Sequence, residues 1–432
     1  VLELGCGDGG NLVPMAAALP GASFTGIDTA PGAIEHGRRL AEAVGLDNVM
    51  LEERAIEDFA PDAGGFDYVI AHGVYSWIPP AARDRLLAVC REALAEGGVA
   101  YVSYNALPGW RVRQALREMM RFHTAATEDP RERIEEARAL LRLLLDGWPL
   151  VHSQVEQLLS RSDAGILHDE LAPENDPVYF VQFVEHAGRH RLQYLAEADF
   201  FEMQIGAASE RITAALLEVE DPVRREQYLD FLKGRMFRQT LLCRTEEAVD
   251  RTPRPTIIEG LAVSTEARRR DGAFEGPTGS RISTDDPVVV AALERATAAW
   301  PAAVWVRDLA GADAATVCDA LLRAYAANLV ALHVHPPPLT TSPADSPSTT
   351  ALVRHQAGAG DVVTNLRHTS VRIEDDLGRH LVTLLDGTRD REALAADLRD
   401  FLTRRGDPVP DDLRESLDRS LEGLGRLALL QG

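Results

Sequence analysis

Two periods of apolar spacing share the first 105 residues. Strand-length apolar runs occur at 1–4, 23–28, 49–53, 68–71 and 99–104, with helically spaced segments between them. The last of these helices is expected to end at Glu96-Gly97-Gly98, capped by glycine. Such a rhythm predicts a parallel sheet covered on both faces. Helical spacing then continues at 110–126, 131–145 and 151–160, with Ile134, Ala137, Leu141 and Leu144 on one stripe. A helix at 177–189 leads into two strand patterns, HRLQYLAEA at 190–198 and FRQTLLCR at 237–244. Those two would raise the strand count from five to seven, completing the sheet after a helical insertion.

The same pass suggests domain limits. Residues 1–125 form a ligand-binding core, and 126–250 form the helical insertion and the segment that completes the sheet. Residues 251–282, rich in Pro, Gly, Thr and Arg, read as a linker. Helix and short-strand patterns over 283–340 suggest a winged-helix-like unit. A Pro/Ser/Thr tract at 336–350 reads as a flexible connector. A small C-terminal unit occupies 351–432, with a turn at Asp386-Gly387 between two helices.

The first strand runs directly into a glycine-rich loop, VLELGCGDGG. Glycines there let the backbone turn tightly and approach a ligand closely. Asn11 is placed to cap the following helix, with Pro14 in its first turn. Asp28, at the end of the second strand, can take two ribose hydroxyls. Gly5, Gly7 and Gly10 also satisfy a dinucleotide pattern, so glycines alone leave NAD and S-adenosylmethionine open. Three residues shift the balance. Glu3 lies in a strand that is usually apolar in dinucleotide sites. Asp8 would repel a pyrophosphate but tolerates a sulfonium. Gly9 completes the spacing ExGxGxG. The expected cofactor is therefore S-adenosyl-L-methionine, held by Glu3, Gly5, Cys6, Gly7, Gly9, Asn11 and Asp28.

Further candidates come from the later strand ends. The third ends in Arg54-Ala55-Ile56-Glu57-Asp58, which offers Ala55 backbone, Ile56 packing and Glu57 to an adenine. The fourth ends in IAHGVYSWIPP and the fifth in VSYNALPGW. His72, Tyr75, Trp77, Tyr104 and Trp110 thus lie near the active edge, where aromatic faces attract a sulfonium or an ammonium. Methyl transfer needs an aligned, deprotonated nucleophile and exclusion of water. Tyr104 and Tyr75 are expected to orient it, His72 to act as base or cofactor contact, and Trp110 to flank the sulfonium. For Trp77 and Trp110, core packing is an equal alternative.

Bulk properties narrow the class. The formal net charge of −22 argues against a nucleic-acid backbone as partner. No eighteen-residue apolar stretch occurs, so no membrane insertion is expected. Of the 45 lysine and arginine residues only Lys233 is a lysine. Four scattered cysteines, Cys6, Cys90, Cys243 and Cys318, show neither zinc spacing nor a disulfide framework. They suggest buried thiols in a reducing, cytoplasmic compartment. The twelve histidines show no HExxH, and His333 and His335 read as a solvated pair, so no metal is expected. Because Val1 already lies in a strand, the chain is expected to lack residues upstream.

HGVYSWIPP, YVSYNALPGW and NDPVYFVQFVEHAGRHRLQYLAEADF resemble bacterial methyltransferases that carry a methyltransferase regulatory domain, among them rickettsial outer-membrane-protein lysine methyltransferases. The resemblance covers 1–244 well and 283–430 less closely. VRIEDDLGRHLVTLLDGT is also similar to small PqqD-type peptide-binding domains. The implied fold is α/β, a Rossmann-like seven-stranded methyltransferase sheet with a helical insertion, plus a mostly α, winged-helix-like C-terminal region. The resemblance implies cofactor contacts at Glu3, Gly5, Gly7 and Asp28, and methylation of protein lysine side chains. It departs at Ala55, where an acid usually meets adenine. A protein or peptide substrate is expected, with room for a homodimer. The alternatives are a small-molecule or natural-product methyltransferase whose accessory domains serve oligomerisation, and a binding protein that has lost turnover.

Overall fold

The computed structural model describes residues 1–206, 208–311 and 313–432. The chain opens with β1 (Leu2–Leu4), α1 (Leu12–Ala18), β2 (Phe24–Asp28), α2 (Pro31–Ala43), β3 (Val49–Glu53), β4 (Phe66–Ala71), α3 (Pro80–Ala93) and β5 (Leu94–Asn105). A helical stretch follows: α4 (Trp110–His123), α5 (Pro130–Gly147), α6 (His152–Leu159), the single turn α7 (Asp163–Gly165) and α8 (Phe180–Arg189). Then come β6 (Leu192–Glu197), α9 (Glu210–Leu217), α10 (Pro222–Lys233) and β7 (Phe237–Arg244). Seven strands form one sheet in the order β3-β2-β1-β4-β5-β7-β6. β1, β4 and β5 pair in parallel, and β7 runs antiparallel to both β5 and β6. The strand patterns read at 190–198 and 237–244 do complete the sheet.

The chain divides into two compact units. One comprises Val1–Gly5, Ile27–Thr29 and Glu53–Asp250; the other comprises Cys6–Gly26, Ala30–Glu52 and Arg251–Gly432. In the first, Leu2, Leu4, Ile27, Val69 and Val102 bury one continuous core with Leu86 and Cys90 of α3 and Phe183 of α8. A second apolar cluster joins α4, α5 and α6 through Leu116, Ile134, Ala137, Leu141 and Val155, as the helical stripe predicts. The glycine cap expected at Glu96-Gly97-Gly98 is not there. α3 ends at Ala93, and both glycines lie inside β5. Gly97 adopts φ +71°, which lets extra residues bulge out between the pairs Leu94–Phe66 and Val99–Tyr68.

A buried ion cluster holds the late strands. Arg238 of β7 is fully buried. Its guanidinium pairs with Glu197 of β6, with Asp230 at 2.8 Å and with Glu226 at 3.1 Å, both on α10. It also lies 3.8 Å from the centroid of the Phe180 ring on α8. Burial pushes the Glu197 and Asp230 carboxyls up from their usual range.

In the second unit, residues 251–282 are folded rather than a linker. They contain a 3-10 turn (Pro255–Gly260) and strands β8 (Ala262–Ser264), β9 (Arg268–Arg270), β10 (Ala273–Glu275) and β11 (Arg281–Ser283). Strands of three residues are too short to show a period, yet Ile258, Val263 and Phe274 are core residues. After α11 (Pro287–Ala299), β12 (Val304–Trp305), α12 (Val306–Ala310), α13 (Ala314–Ala326) and β13 (Ala331–His333), β8 proves to be the centre of a three-stranded sheet, β12-β8-β13. Those helices pack on the same core. The tract at 336–350 is pinned rather than free. Leu339 bridges Gln431, Ser348 bridges Asp386, and Thr349 is buried. The chain ends in α14 (Ala351–Ala359), the hairpin β14 (Val362–Thr364) and β15 (Ser370–Arg372), then α15 (Asp376–Leu384), α16 (Arg391–Arg405) and α17 (Leu413–Arg426) around a separate leucine-rich core. Among the described residues, no helix is long and apolar enough to cross a membrane.

Removing the Arg238 guanidinium would leave buried Glu197 without its ion pair and Glu226 and Asp230 with Arg235 alone. Arg238→Met is expected to lower unfolding free energy by about 3–5 kcal/mol, read as a shifted denaturant midpoint. A shift below about 1 kcal/mol would mean the cluster is not structural.

Candidate functional site

In the first unit, the carboxyl ends of four adjacent strands frame an open cleft of about 360 Å³. Gly5 follows β1, Asp28 and Thr29 close β2, Arg54 follows β3, and His72 follows β4. Such a size suits a small-molecule ligand. Parallel strands end together there, so polar groups carried just past each end converge on one place. Gly5 is the tight point. It holds φ +74°, and a Cβ on it would stand 2.5 Å from Val74 Cγ2. The strand ends are stitched by Gly5 N–H donating to Ile27 O (2.8 Å) and Arg54 N–H donating to Asp28 O (2.9 Å). Ile56 and Glu57, in the 3-10 turn Ile56–Asp58, line one wall; Trp77 and Ile78 line another.

His72 is held in one tautomer. Tyr101 Oη donates to Gln239 Oε1 at 2.9 Å, so its oxygen accepts from His72 Nδ1–H at 3.0 Å. Ser103 Oγ lies 3.1 Å from the same nitrogen and accepts from Gly73 N–H at 2.7 Å. The lone pair is thereby left on Nε2. Burial lowers the His72 pKa below its usual value, so the ring is neutral at pH 7.

The other catalytic candidates lie elsewhere. Tyr104 is fully buried, stacked 4.1 Å from the Phe183 ring, with its hydroxyl 3.0 Å from Thr240 Oγ1. Tyr75 is also buried, its hydroxyl 2.8 Å from His186 Nδ1. Trp110 is buried at the start of α4, with the Arg113 guanidinium 5.6 Å from its ring. None of the three lines the cleft, and the expectation that they contact the reacting groups is corrected. Nearness to a strand end does not say which face a side chain takes. Here α8 supplies Phe183 and His186, which draw both tyrosines into the core.

Among the expected cofactor residues, Gly5, Asp28, Ile56, Glu57 and His72 line the cleft. Glu3 is buried within β1, and Ala55 precedes the wall formed by Ile56. Cys6, Gly7, Gly9 and Asn11 belong to the second unit. There α2 packs closely on the glycine loop, for a Cβ on Gly37 would stand 2.2 Å from Asp8 O. Asn11 is not a side-chain cap. Its backbone is already helical, and its Oδ1 lies 3.2 Å from His368 Nε2 in the turn between β14 and β15. Thr29, Arg54 and Gly73 line the cleft but escaped the sequence reading. Each sits one or two residues past a strand end, and that position is the signal that would have found them.

Comparison with known proteins matches three family models. Residues 2–100 match the methyltransferase domain, 162–244 the predicted methyltransferase regulatory domain, and 345–420 the PKMT C-terminal winged helix domain. The winged-helix match thus falls on the last part of the chain. Uncharacterized protein RP789 of Rickettsia prowazekii is 39% identical over 261 residues, 58% of this chain and 47% of its own length. Uncharacterized protein RP028 of the same organism is 31% identical over 203 residues, 45% of this chain and 81% of its own. The chain therefore spans about half the length of RP789 and most of RP028. Among solved structures, PKMT2 from Rickettsia typhi covers 100% of this chain, with 94% of PKMT2 matched, at 26% identity and a TM-score of 0.88. A second structure of PKMT2, in complex with AdoHcy, matches the fold at 24% identity and a TM-score of 0.86. With a mixed seven-stranded sheet whose strand ends frame an open cleft and a regulatory segment that completes that sheet, the chain belongs to the class I S-adenosylmethionine-dependent methyltransferases that carry a methyltransferase regulatory domain.

Proposed function

We propose that this chain transfers a methyl group from S-adenosylmethionine to protein lysine side chains. The observation that carries the reading is its likeness to PKMT2 along its whole length, at a TM-score of 0.88. The PKMT winged-helix match at 345–420 supports it independently. In this reading Asp28 accepts the ribose hydroxyls, Gly5 lets the backbone approach the cofactor, and Ile56 and Glu57 flank the adenine. The two carboxylates in the cleft, Asp28 and Glu57, which stand beside one cation, Arg54, also suit a cationic sulfonium.

The chemistry is a single displacement. The lysine Nζ lone pair attacks the methyl carbon, and the carbon–sulfur bond breaks with its electron pair left on sulfur. The nucleophile must first lose a proton, since a free lysine has a pKa of about 10.4. In this reading His72 takes it, and the contacts of Nδ1 with Tyr101 and Ser103, which leave the lone pair on Nε2, support that role. Gln239 on β7 orients Tyr101, so the late strand helps set the tautomer.

Because the His72 pKa is lowered, the base form is fully present at neutral pH and is lost only as pH falls through the lowered value. The acid limb of kcat is expected below pH 6.5, the usual histidine value. His72→Asn is expected to lower kcat by about 100-fold and remove that limb, with cofactor affinity retained. An unchanged acid limb in His72→Asn would take His72 out of the mechanism. Incubation with radiolabelled S-adenosylmethionine and bacterial lysate proteins, followed by acid hydrolysis, is expected to yield labelled methyl-lysines. Label found only in small molecules would reject the protein substrate.

A further inference from the structure

No HExxH occurs in the sequence, yet among the described residues the fold assembles one candidate set. His186 and His190 stand four residues apart at the end of α8, on the same side of the helix. Asp84 comes from α3, about a hundred residues earlier. Its Oδ1 lies 3.3 Å from His186 Nε2 and 2.8 Å from His190 Nε2. All three donor atoms lie within 4.8 Å of one another. On a tetrahedral zinc ion with bonds of about 2.0–2.1 Å, ligand atoms sit about 3.3 Å apart. Of the three edges, one equals that spacing, a second is within about 0.5 Å of it, and the third, between the two imidazoles, is within 4.8 Å and must close on an ion. Small side-chain shifts therefore suffice to seat an ion. The two imidazoles are largely covered, with side chains 18% and 16% exposed, while Asp84 is 62% exposed. The set is thus open on one side, where water can complete the coordination.

A second observation supports the same reading. Metal-ligating histidines are held by a hydrogen bond at the other ring nitrogen. His186 Nδ1 has such a partner, the buried hydroxyl of Tyr75 at 2.8 Å.

We propose that Asp84, His186 and His190 bind one zinc-like divalent transition-metal ion, with water in the remaining position. The ion clips the end of α8 to α3. It also sets the direction of one buried hydrogen bond. Without metal, His186 Nε2–H donates to Asp84, and Nδ1 accepts from the Tyr75 O–H. With metal on Nε2, the proton resides on Nδ1, which donates to the Tyr75 oxygen. Tyr75 begins the 3-10 turn Tyr75–Trp77, and Trp77 lines the cleft. Metal at this site would therefore act on the cleft wall through a segment matched by the regulatory-domain model.

The test uses the full chain, stripped with a chelator and dialysed, with no methyl donor present. Zinc titrated by calorimetry, and cobalt(II) followed by its visible absorption, are expected to saturate at one equivalent. His190→Ala should weaken binding by more than about 100-fold, and Tyr75→Phe, which removes only the hydrogen bond to His186 Nδ1, by about 10–100-fold. Asp84→Asn keeps the shape of the cluster and should also lose most of the affinity, which guards against a variant that merely misfolds. In the wild type, long-range proton–nitrogen NMR should show zinc shifting Nε2 of His186 and His190 while His186 Nδ1 becomes protonated. No saturable binding by the wild type at millimolar zinc, or equal binding by His190→Ala and Asp84→Asn, would overturn the proposal. Either result would leave the methyl-transfer reading untouched.

Discussion

A single buried guanidinium ties the late part of the chain to the sheet. Arg238 on β7 gathers Glu197 from β6, Glu226 and Asp230 from α10, and the Phe180 ring from α8. Three carboxylates are withdrawn from water there, offset by Arg238 and by Arg235, which lies 3.5 Å from Glu226 and 3.3 Å from Asp230. The cluster is therefore assembled as a whole or is costly, and it makes the regulatory segment fold together with the strands it completes. Glu197 also accepts from Thr240 Oγ1 at 3.0 Å, and Thr240 accepts from the Tyr104 hydroxyl on β5. One residue before Tyr104, Ser103 holds His72 and Gly73 at the cleft. A short run of hydrogen bonds thus connects the ion cluster to the strand end that carries the proposed base.

The same segment reaches the site along a second route. Asp176 N–H donates to Ser76 O, and Ser76 Oγ accepts from Asn105 N–H. Arg83 of α3 binds Ile78 O and pairs with Asp176. Residues 175–178 therefore lie along the ends of the central strands, and the turn Tyr75–Trp77 is held from both sides. The regulatory segment thus braces the turn whose Trp77 lines the cleft, as well as completing the sheet. This explains why a helical insertion stands between β5 and the two strands that finish the sheet. The insertion has its own apolar core and an internal Arg113–Glu170 pair at 2.5 Å, so it is a folded body in its own right.

Much of this was legible in the sequence for a simple reason. Period and strand-end chemistry are local. The apolar runs marked β1 to β4 within a residue or two, and HRLQYLAEA and FRQTLLCR marked β6 and β7. Gly5, Asp28, Ile56, Glu57 and His72 were singled out because each lies at or just past a strand end, and all five line the cleft. What failed was not local. Tyr104 and Tyr75 were read as facing ligand because nothing in their own segments reveals Phe183 and His186, which arrive from α8. Gly97 and Gly98 look like a helix cap, yet they serve a bulge in β5 whose partner is β4. β8 to β11 have three residues each, below the length at which alternation shows. The HxxxH pair His186 and His190 was visible in the sequence but was passed over, and Asp84 joins it only once α3 and α8 meet.

The central claim is that S-adenosylmethionine occupies the cleft at the ends of β1 to β4. Hydrogen exchange of the backbone amides, with and without saturating S-adenosylhomocysteine, tests it most directly, because a ligand slows exchange in the segments whose opening it opposes. The account predicts slowed exchange at Gly5, at Asp28 and Thr29, at Ile56 and Glu57, and at His72 to Trp77. It predicts little change in α16 and α17. Unchanged exchange at those strand ends, or protection confined to other parts of the chain, would contradict it.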